Sequence, residues 1–182
     1  KDLANSHVYS IIKSDDNLVY VATNLGIKVY LNGSFKLIKN HENQVGSSLF
    51  GLRKNSNGEI YCFNLSGQLF KVNQNELELI TAVPKEHFSR NFDMQFDNEN
   101  NLIFISKSIL LYNSNQWKVL KKLQSNSVFV SSTLLPEKKI LVPHPDEPKN
   151  FIISNGRLDS LNENLKQKFS IDDLYRSSFQ ME

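Results

Sequence analysis

Cysteine is nearly absent from the chain. Cys62 is the single one in 182 residues, which excludes an internal disulfide framework. Its place inside the apolar run Ile60 to Phe63 reads as a buried structural thiol rather than a nucleophile. Long apolar runs are missing too. No stretch approaches the ~18 continuous apolar residues of a membrane span. Lys1 is not followed by the apolar core of a signal peptide, and there is no initiator Met, so the N-terminus reads as cut or processed. Neither sign of charge is in excess: 21 Lys and Arg against 19 Asp and Glu leave a net charge of +2, too little to imply a nucleic-acid partner. The nearest thing to a basic cluster, Lys118, Lys121 and Lys122 beside Trp117, reads as a solvated strand edge.

What is present is ordinary globular composition, 40% apolar and 22% charged. The length suits one domain or part of a larger one. The organising stretch is Asp15 to Phe35. An Asp15-Asp16-Asn17 turn leads into the alternating run Leu18 to Ala22, a break ends at Gly26, and a second run reaches Tyr30 before an Asn32-Gly33 turn. Such a hairpin is marginal alone, and the rest of the chain repeats it. Apolar-aromatic pairs recur at Val8-Tyr9, Leu49-Phe50, Asn91-Phe92 (with Asn in the aliphatic place), Val128-Phe129 and Leu174-Tyr175, spaced 41, 42, 37 and 46 residues apart.

Each unit predicts four strands. The first covers 9–12, 50–52 and 92–96; the second 18–22, 60–63 and 102–105; the third 26–31, 67–72 and 108–112; the fourth 34–38, 77–80 and 117–120. Four strands per ~40 residues is the arithmetic of a β-propeller blade. Helix pairs would need a sustained 3.6-residue period, and none is seen before residue 160. An immunoglobulin-like sandwich would not repeat its motif at this interval. The fold class is therefore all-β, a propeller with blades at about 3–38, 45–80, 88–120 and 126–161, and a fifth blade or tail over 162–182. The fourth unit is degraded. Its strands are expected at 128–135, 140–142, 151–154 and 157–161, with Pro136 to Lys139 replacing the first turn and Pro143, Pro145 and Pro148 forming a stiff excursion. A helical turn or two is expected over 161–168. Four blades plus the start of another read as a fragment of a larger propeller, against a closed four-bladed ring with a docked tail.

Asp15, Val19, Tyr20, Val21, Ala22, Thr23, Gly26, Ile27, Tyr30, Asn32, Gly33 and Phe35 together resemble the two-component regulator propeller repeat. Tyr20 stands where that family has Trp, and Asn17 where it has the turn Gly. The second unit keeps Asn57-Gly58, Ile60-Tyr61 and Gly67; the third keeps Asp97 and Leu102 to Ile105. WD-repeat propellers fit less well, since there is no Trp-Asp dipeptide. The resemblance implies the periplasmic sensor region of a bacterial transmembrane protein, with glycan fragments among its ligands and a histidine kinase module in downstream sequence outside these residues.

Three kinds of site are weighed. Asp97 to Asn101 and Asp15 to Asn17 carry alternating oxygen ligands, but a calcium loop needs a bidentate Glu downstream, and Asx residues belong in hairpin turns anyway; no metal or cofactor is expected. His7, His41, His87 and His144 all fall in loops, before a first strand or after a second. In a propeller those two loop classes open on one face, a weak pointer to a site. No repeated carboxylate partner and no H-E-x-x-H or G-x-S-x-G motif accompanies them, so no catalytic residue is assigned. The same loops carry Asn5, Asn40, Asn43, Gln44, Arg90 and Asn91, a neutral-polar set suited to sugar hydroxyls or a protein rim. The binding candidates are His7, His41, Arg90, Asn91 and His144, with Arg90 placed to reach the channel. The expected partner is a small molecule or oligosaccharide, another protein, or a second copy in a homodimer, with a membrane reached only through segments outside these residues. The sequons Asn32-Gly33-Ser34 and Asn64-Leu65-Ser66 are explained by a turn and a strand end. A non-catalytic sensor module is the first expectation, an interaction scaffold the second, and a propeller lyase or hydrolase the third.

Overall fold

The structure is a computed structural model that describes residues 3–123, 132–143 and 150–160. Within them the protein is all-β apart from two short 3-10 turns, Lys85–His87 and Pro136–Lys138. It divides into two compact units, Lys1–Arg90 and Asn91–Glu182.

The first unit holds two antiparallel four-stranded meanders. One is β1 Val8–Lys13, β2 Val19–Thr23, β3 Gly26–Leu31 and β4 Ser34–Leu37. The other is β5 Leu49–Lys54, β6 Ile60–Asn64, β7 Gln68–Val72 and β8 Leu77–Ala82. Period-two alternation gives each sheet an apolar face, and these faces meet. Tyr20, Ala22, Ile27 and Val29 from one sheet pack in a common core with Leu52, Ile60, Cys62, Phe70 and Leu77 from the other. Phe70 is wholly buried, a contribution of about 1.5–3 kcal/mol. The inner strands also touch: the Leu52 N–H donates to Ser10 Oγ at 3.1 Å, and the Tyr9 and Phe50 rings lie 4.3 Å apart.

The second unit repeats the scheme with β9 Asp93–Phe96, β10 Leu102–Ile105, β11 Ser108–Asn113 and β12 Gln116–Lys122. Its other sheet is β13 Thr133–Leu134, β14 Ile140–Val142, β15 Phe151–Ser154 and β16 Arg157–Ser160. Ile103, Ile105, Ile109 and Leu111 pack against Ile140, Val142, Phe151 and Ile153. Pro136–Lys138 forms a 3-10 turn where the other blades have an Asx turn, and Lys118 and Lys122 are exposed on β12 as an edge strand would have them.

Boundaries shift where the backbone departs from regular pairing. β1 carries a bulge between Val8 and Ser10, and β5 one between Phe50 and Arg53, where Gly51 takes φ 63°. The strand expected from residue 92 starts at Asp93 and the one expected from 67 starts at Gln68. The proposed openings Val128-Phe129 and Leu174-Tyr175, the helical turn over 161–168, the segment 162–182 and His144 lie outside the described residues.

Candidate functional site

In the first unit, the loops that precede first strands are bolted to those that follow second strands. Asn24, between β2 and β3, is the hub. Its Oδ1 accepts the His7 N–H at 2.8 Å, its own N–H donates to the His7 carbonyl at 3.2 Å, and its carbonyl accepts Ser47 Oγ at 2.7 Å. The loop is pre-shaped by Thr23, whose Oγ1 accepts the Leu25 N–H and donates to the Gly26 carbonyl. Gly26 is required, because φ is 121° and a Cβ would lie 3.0 Å from Asn40 Oδ1.

The next blade replaces Thr23 with Asn64, whose longer amide does more. Its Oδ1 accepts the Ser66 and Gln68 N–H groups at 3.0 and 2.9 Å. Its Nδ2 donates to the Val45 carbonyl at 3.0 Å and to Gln68 Oε1 at 2.6 Å. Gln68 completes the clamp, donating through Nε2 to the Asn43 carbonyl at 2.8 Å and accepting the Val45 N–H at 2.8 Å. The loop 39–48 that carries His41 is thereby held by the Asn64 and Gln68 side chains of the second blade and, through Ser47, by the Asn24 carbonyl of the first.

His41 is half-buried, its ring centroid 6.5 Å from that of Phe70. Nδ1 accepts the Asn43 N–H at 3.1 Å, so the neutral ring carries its proton on Nε2 and presents a donor there. Beside it runs an open groove of about 430 Å³, lined by Lys39, Asn40, His41, Glu42, Asn73, Glu76, Leu77 and Glu78. A parallel bridge fixes its wall: the Lys39 N–H donates to the Asn75 carbonyl at 3.1 Å, and the Leu77 N–H to the Lys39 carbonyl at 2.9 Å. A groove with carboxylates, an ammonium, an imidazole and two amides can hold a small polar ligand.

The other residues that the sequence singled out fall as follows. His7 is exposed and tied through its backbone to Asn24, which also holds Ser47, so His7 and the end of the His41 loop are brought together. His87 sits in the 3-10 turn, its Nε2 3.9 Å from Glu86 Oε1. Arg90 is exposed at the end of the first unit and Asn91 is exposed at the start of the second, where its carbonyl accepts Ser106 Oγ at 3.0 Å. Asn24, Asn64, Gln68, Glu76 and Glu78 were not among the sequence candidates. Asn64 had a usable signal, an Asn where the repeat expects Thr; Glu76 and Glu78 had none, since they reach the groove through a backbone bridge.

Two other features resolve as scaffold. Asp97 is fully buried. Its Oδ1 accepts the Glu99 and Asn101 N–H groups at 2.9 Å each, and its Oδ2 accepts Asn101 Nδ2 at 2.9 Å and the Gly156 N–H at 2.7 Å. Every donor there is a protein N–H, as a turn requires. Among the described residues no three His, Cys, Asp or Glu side chains gather as a metal ion would need. Cys62 is wholly buried, and burial pushes its thiol well above the ordinary range, which leaves it protonated and unreactive.

No protein-family model and no curated protein matches the sequence. Solved structures do. Virginiamycin B lyase from Staphylococcus aureus superposes with a TM-score of 0.67 at 15% identity, over 85% of this protein and 55% of the lyase. The extracellular domain assigned to a hybrid two-component system from B. thetaiotaomicron gives 0.57 at 20% identity, over 78% of this protein and 21% of that one. The WD40 propeller domain of Doa1 gives 0.57 at 10% identity, over 76% and 48%. The protein thus spans about half the length of the lyase. At such identities the shared property is the architecture: four four-stranded antiparallel meanders in the β-propeller fold.

Proposed function

We propose that the protein is a non-catalytic ligand-recognition module, the sensor propeller of a bacterial two-component signalling protein, working outside the cytoplasm. The observation that carries this reading is the groove beside His41, in a loop that Asn64 and Gln68 hold rigid from the neighbouring blade. Rigidity matters because a site ordered in advance loses less entropy on capture. The likeness to an extracellular two-component domain and the residue pattern of the first repeat support the sensor context. The ligand is a small polar molecule or oligosaccharide, and the signal passes by rigid-body change between protomers.

The test is calorimetric titration with a panel of oligosaccharides and other small polar solutes, on the wild type and on His41→Ala. Binding that weakens about fivefold or more in the variant, as loss of one buried hydrogen bond predicts, supports the reading. A panel that binds nowhere, or binds equally to both proteins, overturns it in favour of a protein-interaction scaffold.

A lyase reading has one observation in its favour. The superposition on virginiamycin B lyase is tighter than that on the sensor domain. Quinupristin accompanies a catalytically inactive variant of that enzyme in a further solved structure. Incubation of this protein with quinupristin, followed by mass spectrometry, decides it: turnover would replace the sensor reading, and unchanged quinupristin removes this enzyme activity from consideration.

A further inference from the structure

Three Asn-Gly dipeptides occur in the sequence, Asn32-Gly33, Asn57-Gly58 and Asn155-Gly156. Asn-Gly is the peptide sequence most open to self-modification, because the glycine nitrogen has no neighbouring Cβ to shield it. The nitrogen loses its proton to hydroxide and attacks the Asn Cγ. A ring C–N bond forms, the bond from Cγ to Nδ2 breaks, and ammonia leaves. Water then opens the succinimide at either carbonyl, giving Asp or isoAsp. The balance is one water consumed and one ammonia released, with no redox step.

Identical in sequence, the three sites differ in whether that nitrogen is free. The Gly58 N–H donates to the Asn55 carbonyl at 3.2 Å. The Gly156 N–H donates to Asp97 Oδ2 at 2.7 Å. A hydrogen-bonded N–H must first give up its acceptor before it can be deprotonated. Gly33 makes no such bond among the described residues, and the Asn32 amide has no partner there either. Asn32 is exposed, and nothing lies within 4 Å of the place a Gly33 Cβ would take, so hydroxide and water can reach both faces of the turn. The turn also leads into β4, a four-residue edge strand, the kind of element that opens locally at low cost.

We propose that Asn32 is a modification site, the first position in the folded protein to deamidate, with water as the co-reactant. The consequence reaches beyond the hairpin tip. IsoAsp inserts an extra backbone carbon into a two-residue turn whose length sets the Leu31–Ser34 register. β4 continues through Ile38, whose N–H donates to the Ile27 carbonyl at 2.8 Å, into the Lys39 bridge that walls the His41 groove. A molecule aged at Asn32 therefore loosens the edge from which that groove hangs.

The experiment is to hold the whole folded protein in mildly alkaline buffer, sample over time, digest with trypsin and map deamidation by tandem mass spectrometry. The relevant peptides are 29–36, 55–71 and 150–157. The expected result is conversion at Asn32 several-fold faster than at Asn57 or Asn155, with isoAsp detected by isoaspartyl methyltransferase labelling. In denaturant the three rates should converge, which shows that the fold and not the neighbouring residues sets the order. Equal or faster conversion at Asn57 or Asn155 in the folded protein overturns the proposal. So does an unmodified Asn32 in a folded sample whose denatured counterpart converts.

Discussion

The turn after the first strand is built twice with different chemistry, and the difference is one atom of a side chain. In the second blade it is closed by Asn55. Oδ1 accepts the Asn57 and Glu59 N–H groups at 3.0 Å each, and the leftover Nδ2 donates to Glu59 Oε2 at 2.7 Å. In the third blade Asp97 accepts the equivalent N–H groups of Glu99 and Asn101. Its second oxygen is an acceptor where Asn55 has a donor, and it takes Asn101 Nδ2 and the Gly156 N–H from the next blade's hairpin. The amide turns its second atom back onto Glu59 of its own turn. The carboxylate makes the same turn a bolt between blades.

The largest effect should come from Asp97→Ala, which strands several buried N–H groups at once, at a cost of about 3–4 kcal/mol in urea unfolding. Asp97→Asn is the sharper test: it gives the third blade the second blade's chemistry and should cost about half as much, because only the bonds to the second oxygen are lost. If the two variants unfold alike, the bolt contributes nothing beyond the turn.

The reverse exchange, Asn55→Asp, should cost about 1–2 kcal/mol, since a donor to Glu59 becomes a second carboxylate facing it. Adding Glu59→Gln to that variant should restore most of the loss, and a double-mutant cycle measures it. Next comes Gly156→Ala, expected at about 1–2 kcal/mol from its φ of 64° and a Cβ placed 2.9 Å from Leu111 Cδ1; thermal unfolding checks it.

The smallest effect is a pH dependence that comes from Glu59, at the second blade's turn. The Lys71 ammonium 2.6 Å away, helped by Asn55 and Tyr61, holds the Glu59 carboxyl below its ordinary range. A depressed carboxyl stabilises the fold above its unfolded value, and the contribution fades as pH falls through the folded one. About a third of this side chain is exposed, so screening keeps the contribution to a few tenths of a kcal/mol. Acid titration of stability should therefore flatten slightly in Glu59→Gln.

Strands were legible wherever alternation and turn residues agreed. Gly26–Leu31, Leu102–Ile105, Ile140–Val142 and Phe151–Ser154 fall where period-two patterning puts them. First strands were blurred because bulges at Tyr9 and Gly51 insert a residue that breaks the period. Of the site, the pattern exposed His41 as a polar loop residue and no more. The Asn24 hub bonds Ser47, 23 residues away, and the groove pairs Lys39 with Glu76. Contacts set by one blade's lean on the next leave no periodic trace in either.

The Asp97 bolt also imposes an order in time. Its last donor, the Gly156 N–H, lies 59 residues further along the sequence. At ordinary translation rates of about 5–20 residues per second, that donor follows the carboxylate out of the ribosome by roughly 3 to 12 seconds. Through that interval the third blade carries an anion with an unfilled acceptor, and water must serve it. The turn cannot be sealed dry until the fourth blade's hairpin arrives, so the two blades of this unit are finished together.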